Sequence, residues 1–138
     1  MSVQNTLNAA LYAKMNGDST LTSYLAGTTA IYFVKPPDNA ALDYIVWNYQ
    51  GGGDENATPR RTKDLVVNIK AVSVTGQAKA GTIDARIDAL LHHKPLTVAG
   101  WTNFWIAREQ DYALVETDAS NKNYWTAGGL YRVRLDNT

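Results

Sequence analysis

At 138 residues and 15.2 kDa the chain suits one domain, of a size that buries roughly 68% of its unfolded surface. A hydrophobic content of 45% against 19% charged residues argues against long disorder, and 13 basic residues balance 13 acidic ones, without the basic footprint of a dedicated nucleic-acid binder. The lack of cysteine excludes a disulfide framework, a thiolate nucleophile and Cys-ligated zinc.

The opening Met1 to Asn5 has neither a basic n-region nor an apolar h-region. No apolar run approaches the roughly 20 residues that a membrane span needs. The expectation is a soluble chain without a secretory signal or membrane contact, intracellular when made. Val3, Leu7, Ala10 and Leu11 form one helical stripe, with Ser2 as N-cap and Gly17 as stop. Asp18 is placed to cap a second short turn through Leu21, Tyr24 and Leu25. Ile31 to Val34 reads as a first strand, closed by Lys35-Pro36-Pro37, and Tyr44 to Tyr49 as a second.

From Gln50 to Thr62 the chain is polar, with Gly51-Gly52-Gly53 and no apolar side chain larger than Ala57. So long a polar connection inside a compact domain points to function or disorder. It reads as a mobile arm, at about 50–62, at the tip of a hairpin in a single domain spanning 1–138. Leu65 to Val74 is the central strand, with Leu65, Val67, Ile69 and Ala71 on one face at period two. Thr75-Gly76 ends it. A helix follows from Gln77 to His93, with Ala80, Ile83, Ile87, Leu90 and Leu91 on its apolar stripe, and Pro95 stops it. Leu96-Thr97-Val98 is short. Phe104–Glu109 and Tyr112–Thr117 read as two strands separated by Gln110-Asp111, and Ala119 to Asn123 as a polar turn. Tyr124 to Leu135 is a last strand, in which Gly128-Gly129 suggests a bulge or a break in pairing. The fold class is therefore α+β: a mainly antiparallel β-sheet with two α-helices packed on one face.

Candidate chemistry is sparse. His92 and His93 are adjacent and point about 100° apart on a regular helix, so they do not share a metal. Asp88 and His92 stand four apart and suit a surface pair at a helix end. Asp84 and Asp88 share a helical face, as a carboxylate pair would, but Lys79 and Arg86 nearby make a solvated face the plainer reading. The triple glycine is no phosphate loop, since acids follow it instead of Lys-Ser/Thr. No nucleophile sits in a recognisable elbow. No catalytic, cofactor-binding or metal-ligating residue is expected. The candidate interaction residues lie on the arm: Gly52, Asp54, Glu55, Arg60, Arg61 and Lys63. Their basic members suit phosphate or a protein partner with an acidic rim. Trp47, Trp101, Trp105 and Trp125 are spread over different strands, and any that are exposed would suit an oligomer interface.

The order of parts is similar to a known family. An amphipathic helix with Leu7 and Leu11 is followed by Asp18-Ser19-Thr20-Leu21, Gly27 and Ile31-Tyr32. Then come Pro36-Pro37, Asp43-Tyr44-Ile45-Val46, a long arm, the Val66-Ile69-Ala71 strand, and the helix with Ile83, Ile87 and Leu90-Leu91. This resembles the tail completion or tail terminator family of long-tailed bacteriophages and gene transfer agents. The resemblance implies a structural virion protein without catalysis. It implies a homo-oligomeric ring, usually six-fold, on the end of the tail tube, stopping tube growth and offering a surface to the head–tail connector protein. Its partners would be itself, the tail tube protein and that connector, with DNA passing through the lumen without sequence-specific binding. Its place would be the virion tail or neck, and the host cytoplasm during assembly. Two alternatives stand beside it: a head-side connector (neck or stopper) protein, and a small α+β ligand-binding or regulatory domain.

Overall fold

The computed structural model describes residues 2–55 and 61–137. Along the chain run α1 (Val3–Asn16), α2 (Ser19–Ser23), β1 (Ile31–Phe33), β2 (Tyr44–Asp54) and β3 (Thr62–Ser73). They are followed by α3 (Gln77–Leu91), β4 (Thr97–Val98), β5 (Trp101–Thr117) and β6 (Asn123–Asn137). The strands form one six-stranded sheet in the order β1-β2-β3-β6-β5-β4.

Local chemistry sets the helix ends where the residue types point. The Ser2 hydroxyl accepts from the Asn5 amide at 3.2 Å, and the Asp18 carboxylate accepts from the Leu21 amide at 2.9 Å. Each helix then buries a stripe: Val3, Leu7, Leu11 and Met15 on α1, and Ala80, Ile83, Ile87 and Leu91 on α3. The three helices touch one another and lie on the sheet face that carries Ile45, Trp47, Leu65, Val67, Ile69, Ala71, Tyr131 and Val133. Leu90, expected on the buried stripe of α3, only packs against the edge of this core and is half-buried.

Two parts of the expected fold class are corrected. The sheet is mixed rather than mainly antiparallel, because β1 runs parallel to β2. The Ile45 amide donates to Ala30 O at 3.0 Å, and the Val34 amide donates to Trp47 O at 2.8 Å. A tight hairpin turn would force antiparallel pairing, but residues 34–43 are long enough to carry the chain back to the level where β1 began. Among the described residues the helices number three rather than two. The Asp18-capped turn closes into the short helix α2, whose Leu21 is fully buried.

Strand lengths differ as well. β2 runs five residues past Tyr49, to Asp54, with its register shifted between Tyr49 and Gly51. Gly52 has φ 103° there, and a Cβ on it would lie 2.7 Å from the Leu65 Cα, so glycine is required. Gln110-Asp111 does not separate two strands. β5 is continuous from Trp101 to Thr117 and absorbs the irregularity as register shifts at 103/105 and 108/110. Gly128 and Gly129 sit in unbroken pairing on both sides, opposite Lys70 and Ile69 on β3 and opposite Tyr112 and Asp111 on β5. Their role is space: a Cβ on Gly129 would meet the Arg108 guanidinium and come within 2.7 Å of Gln110 O. No helix among the described residues is long and apolar enough to cross a membrane.

Candidate functional site

Five of the six residues singled out on the arm come together at one end of the sheet; Arg60, with 56–59, lies outside the described residues. Asp54 stands opposite Lys63 in the β2–β3 register. Its carboxylate accepts two bonds from Arg61, Nε at 3.0 Å and Nη2 at 2.7 Å, and lies 2.8 Å from Lys63 Nζ. The Arg61 hydrogen bonds, followed by those of Lys63, hold the Asp54 carboxyl well below the usual carboxylate range. Glu55 accepts from the Arg134 guanidinium of β6, with Nη2 at 2.5 Å. The Glu55 amide donates to Thr62 O, and the Asn137 amide to Arg61 O, both at 2.9 Å. Residues 50–54 and 62–63 are therefore ladder rather than loop.

Sequence reasoning missed the other half of this network. Arg132 donates to Asp64 at 2.8 Å and to Glu109 at 2.9 Å, tying β3, β6 and β5 together across the helix-free face. The signal was present: alternation in Tyr124 to Leu135 puts Arg132 and Arg134 on one face, opposite strands that carry acids. Arg61 and Lys63 are thus engaged by an acid of their own hairpin.

A second cluster lies where α3 passes β5. Arg108 is 10% exposed at its side chain and makes a bidentate pair with Asp84, at 2.8 and 2.7 Å. It also donates to Gly128 O at 2.8 Å and to the Tyr131 hydroxyl at 3.3 Å, and pairs with Asp111. Burial opposes its charge, but the Asp84 hydrogen bonds and the neighbouring Tyr131 outweigh that and hold the guanidinium more firmly protonated. Asp84 is thus the counter-ion of a buried arginine, neither half of a carboxylate pair nor part of the solvated face expected with Lys79 and Arg86. His92 does not pair with Asp88; its Nδ1 accepts from the Arg108 amide at 3.0 Å. Its ring stacks on His93 with centroids 4.0 Å apart. No group of three or more potential metal ligands occurs among the described residues.

The tryptophans divide by position. Trp47 is buried under the helices, Trp101 and Trp125 are half-buried, and Trp105 is exposed beside Phe104 and His93. On the helix-free face, the 34–42 connection overhangs a cleft of about 360 Å³ whose floor includes Tyr44, Val46, Lys70 and Val72. Neither the cleft nor the two ion-pair clusters holds a nucleophile–base pair in hydrogen-bonding reach.

Comparison with known proteins gives the site its context. The family model for the tail completion protein gp17 matches residues 9–136. The chain belongs to that family. The gp17 family is one of structural virion proteins, so this member is a tail structural protein. Among solved structures, a chain from the virion of a native gene transfer agent (GTA) particle superposes with a TM-score of 0.81, at 18% identity over 99% of this chain and 98% of that one. Another solved chain superposes at 0.52, with 15% identity over 96% of each. At such identities these two likenesses speak for the fold. Among curated proteins none matches the chain. The helix–sheet core and the order of elements that carry the family match are the parts described above. Of the two ion-pair clusters, the one around Arg108 is buried against α3, whereas the Asp54–Arg61 pair lies at the surface.

Proposed function

We propose that this tail completion protein closes the end of the tail tube. Copies assemble as a ring, six-fold by analogy with the family, which stops tube polymerisation and presents a surface to the head–tail connector. DNA passes through the lumen without sequence-specific contact, and assembly takes place in the host cytoplasm before the ring becomes part of the virion. The observation that carries this reading is the family match over 9–136. Two features suit it. The sheet has open edges, β1 on one side and most of β5 on the other, so repeated heterologous contact can close a ring. Among the described residues, the six large exposed hydrophobics lie on or beside those edges: Phe33 and Val34 at β1, and Phe104, Trp105, Leu114 and Val115 on β5.

The β2–β3 hairpin, with Gly52, Asp54, Glu55, Arg61 and Lys63 and with Arg60 at its tip in sequence, is the proposed docking element toward a neighbouring tail component. The test is mass in solution and on purified tail tubes, with electron images of the same sample. Rings capping tubes of uniform length are expected. Tubes of uniform length made without this protein would overturn the terminating role. Paired Arg60→Glu and Arg61→Glu changes are expected to weaken docking in a salt-dependent way.

A further inference from the structure

We infer that the outer edge of β5, from Glu109 to Thr117, is a strand-addition site for an extended, lysine- or arginine-bearing segment of a partner protein. The inference goes beyond the ring reading: it gives 109–117 to a partner and leaves β1, with Phe33 and Val34, and the Phe104–Trp105 end of β5 for any contact between copies. β4 pairs only with Trp101 and Thr102. The turn after α3 covers β5 a little further, through the His93 amide on Ile106 O at 2.8 Å and His92 on the Arg108 amide. Beyond Arg108 no strand among the described residues lies along the edge. A long unpaired edge of this kind is a template for another chain unless it is blunted by a bulge, a proline or lysines. Residues 109–117 contain neither proline nor lysine, and the register shift at 108/110 lies at their start, which leaves Gln110 to Thr117 in regular pairing with β6.

The space beside this edge is shaped for an occupant. α3 runs alongside it, and between helix and strand lies a groove of about 620 Å³. Its walls are made low by Gly81 and Ala85 on the helix and Ala113 on the strand. A Cβ placed on Gly81 meets nothing within 4 Å. Charge then selects the occupant. Asp88 reaches only the Tyr131 hydroxyl at 3.5 Å, and no cation lies within ion-pair distance of Asp88 or Glu116 among the described residues. Asp111 shares Arg108 with the better-aligned Asp84, and its side chain is 81% exposed. An added strand has alternate side chains on the two faces. Those on the helix side meet Asp88 and Asp111, and those on the other side meet Glu116. Main-chain hydrogen bonds supply the affinity, and this acidic lining supplies the preference for basic side chains. The exposed Leu114 and Val115 are covered by the same event.

The probe is a capped synthetic peptide alternating threonine and lysine, long enough to lie along 109–117. It is compared with the same peptide carrying glutamate for lysine, and with a version N-methylated at alternate residues. Amide shifts, hydrogen exchange and dissociation constants are read by NMR on the whole chain. The lysine peptide is expected to bind with slowed exchange at 109–117, and the other two to bind far more weakly. Asp88→Asn and Glu116→Gln are each expected to weaken binding by about two- to fivefold, the size of an exposed ion pair. Gly81→Leu fills the groove and is expected to remove binding without lowering the melting temperature. Equal binding of the lysine and glutamate peptides, or of the N-methylated peptide, overturns the proposal. So does undiminished binding to Gly81→Leu. Concentration-dependent protection of 109–117 in the protein alone would make a second copy the occupant, and overturn the assignment to a partner.

Discussion

Burial separates side chains that the sequence made look alike. Ile87 is fully buried and Leu90 half-buried, although both sit on the apolar side of α3. Ile87→Ala is expected to cost about 2–5 kcal/mol through lost transfer and a cavity. Leu90→Ala is expected to cost about 1 kcal/mol, because its surroundings collapse into solvent rather than into a void. Urea unfolding of the two variants checks the order; equal losses would mean that α3 is rotated. The arginines divide in the same way. Arg108→Ala leaves Asp84 and the Tyr131 hydroxyl facing an empty interior site, at about 3 kcal/mol. Arg61 is well solvated, and Arg61→Ala is expected to leave the melting temperature nearly unchanged.

At the scale of elements, the β2–β3 hairpin is the decisive case. Replacing 55–61 with a tight turn is expected to leave folding and melting temperature near those of the parent, since β3 stays paired with β6 from Thr62 opposite Asp136. Removing Gly52 to Arg60 takes away more. It strips β2 from Asp64 and Leu65 and leaves Lys63 without Asp54, so its melting temperature is expected to be the lower of the two. Circular dichroism melts of both variants decide; identical curves would show that the Gly52–Asp54 ladder contributes nothing. Period and caps made α1, β3, α3 and the buried face of the sheet legible, because each depends on neighbours close in sequence. Three features depended on distant partners and were not legible. A three-residue β1 carries no mark of its direction. Polar Gly51 to Asp54 looks like loop until β3 supplies its partners. Gly129 looks like a break until Arg108 is seen to need the space. The candidate site was half legible for the same reason: Asp54, Arg61 and Lys63 are close in sequence, whereas Arg132 meets Asp64, and Arg134 meets Glu55, only through the β3–β6 register.

For the molecule as a whole, acid is the informative perturbant. Asp18 links distant parts, capping α2 while accepting a bidentate pair from Arg86 of α3 at 2.8 and 2.7 Å. The Arg86 hydrogen bonds, helped by the Leu21 amide, hold its carboxyl below the ordinary range. Asp54 is lowered by Arg61 and Lys63. Asp118 is lowered by the Lys122 and Ser120 amides, which it accepts in the β5–β6 turn. A carboxyl whose folded pKa lies below its unfolded value, about 3.9 for Asp, binds fewer protons folded than unfolded. Its stabilisation is complete above the unfolded value and drains away as pH falls through the folded one. No opposing change is expected from the buried tyrosines near neutrality. Burial pushes Tyr49 up to about 12, and Tyr131 upward as well, so both stay protonated. The contribution of these three carboxyls to the unfolding free energy is therefore expected to be constant above about pH 5 and to fall steeply below about pH 4. In Asp18→Asn, whose Arg86 keeps only a neutral acceptor, the neutral-pH plateau is expected to be lower and the acid slope shallower. Urea titrations across that range test both, and a variant that keeps the parent's plateau and slope would show that the Asp18–Arg86 pair does not join α3 to the α1–α2 corner energetically.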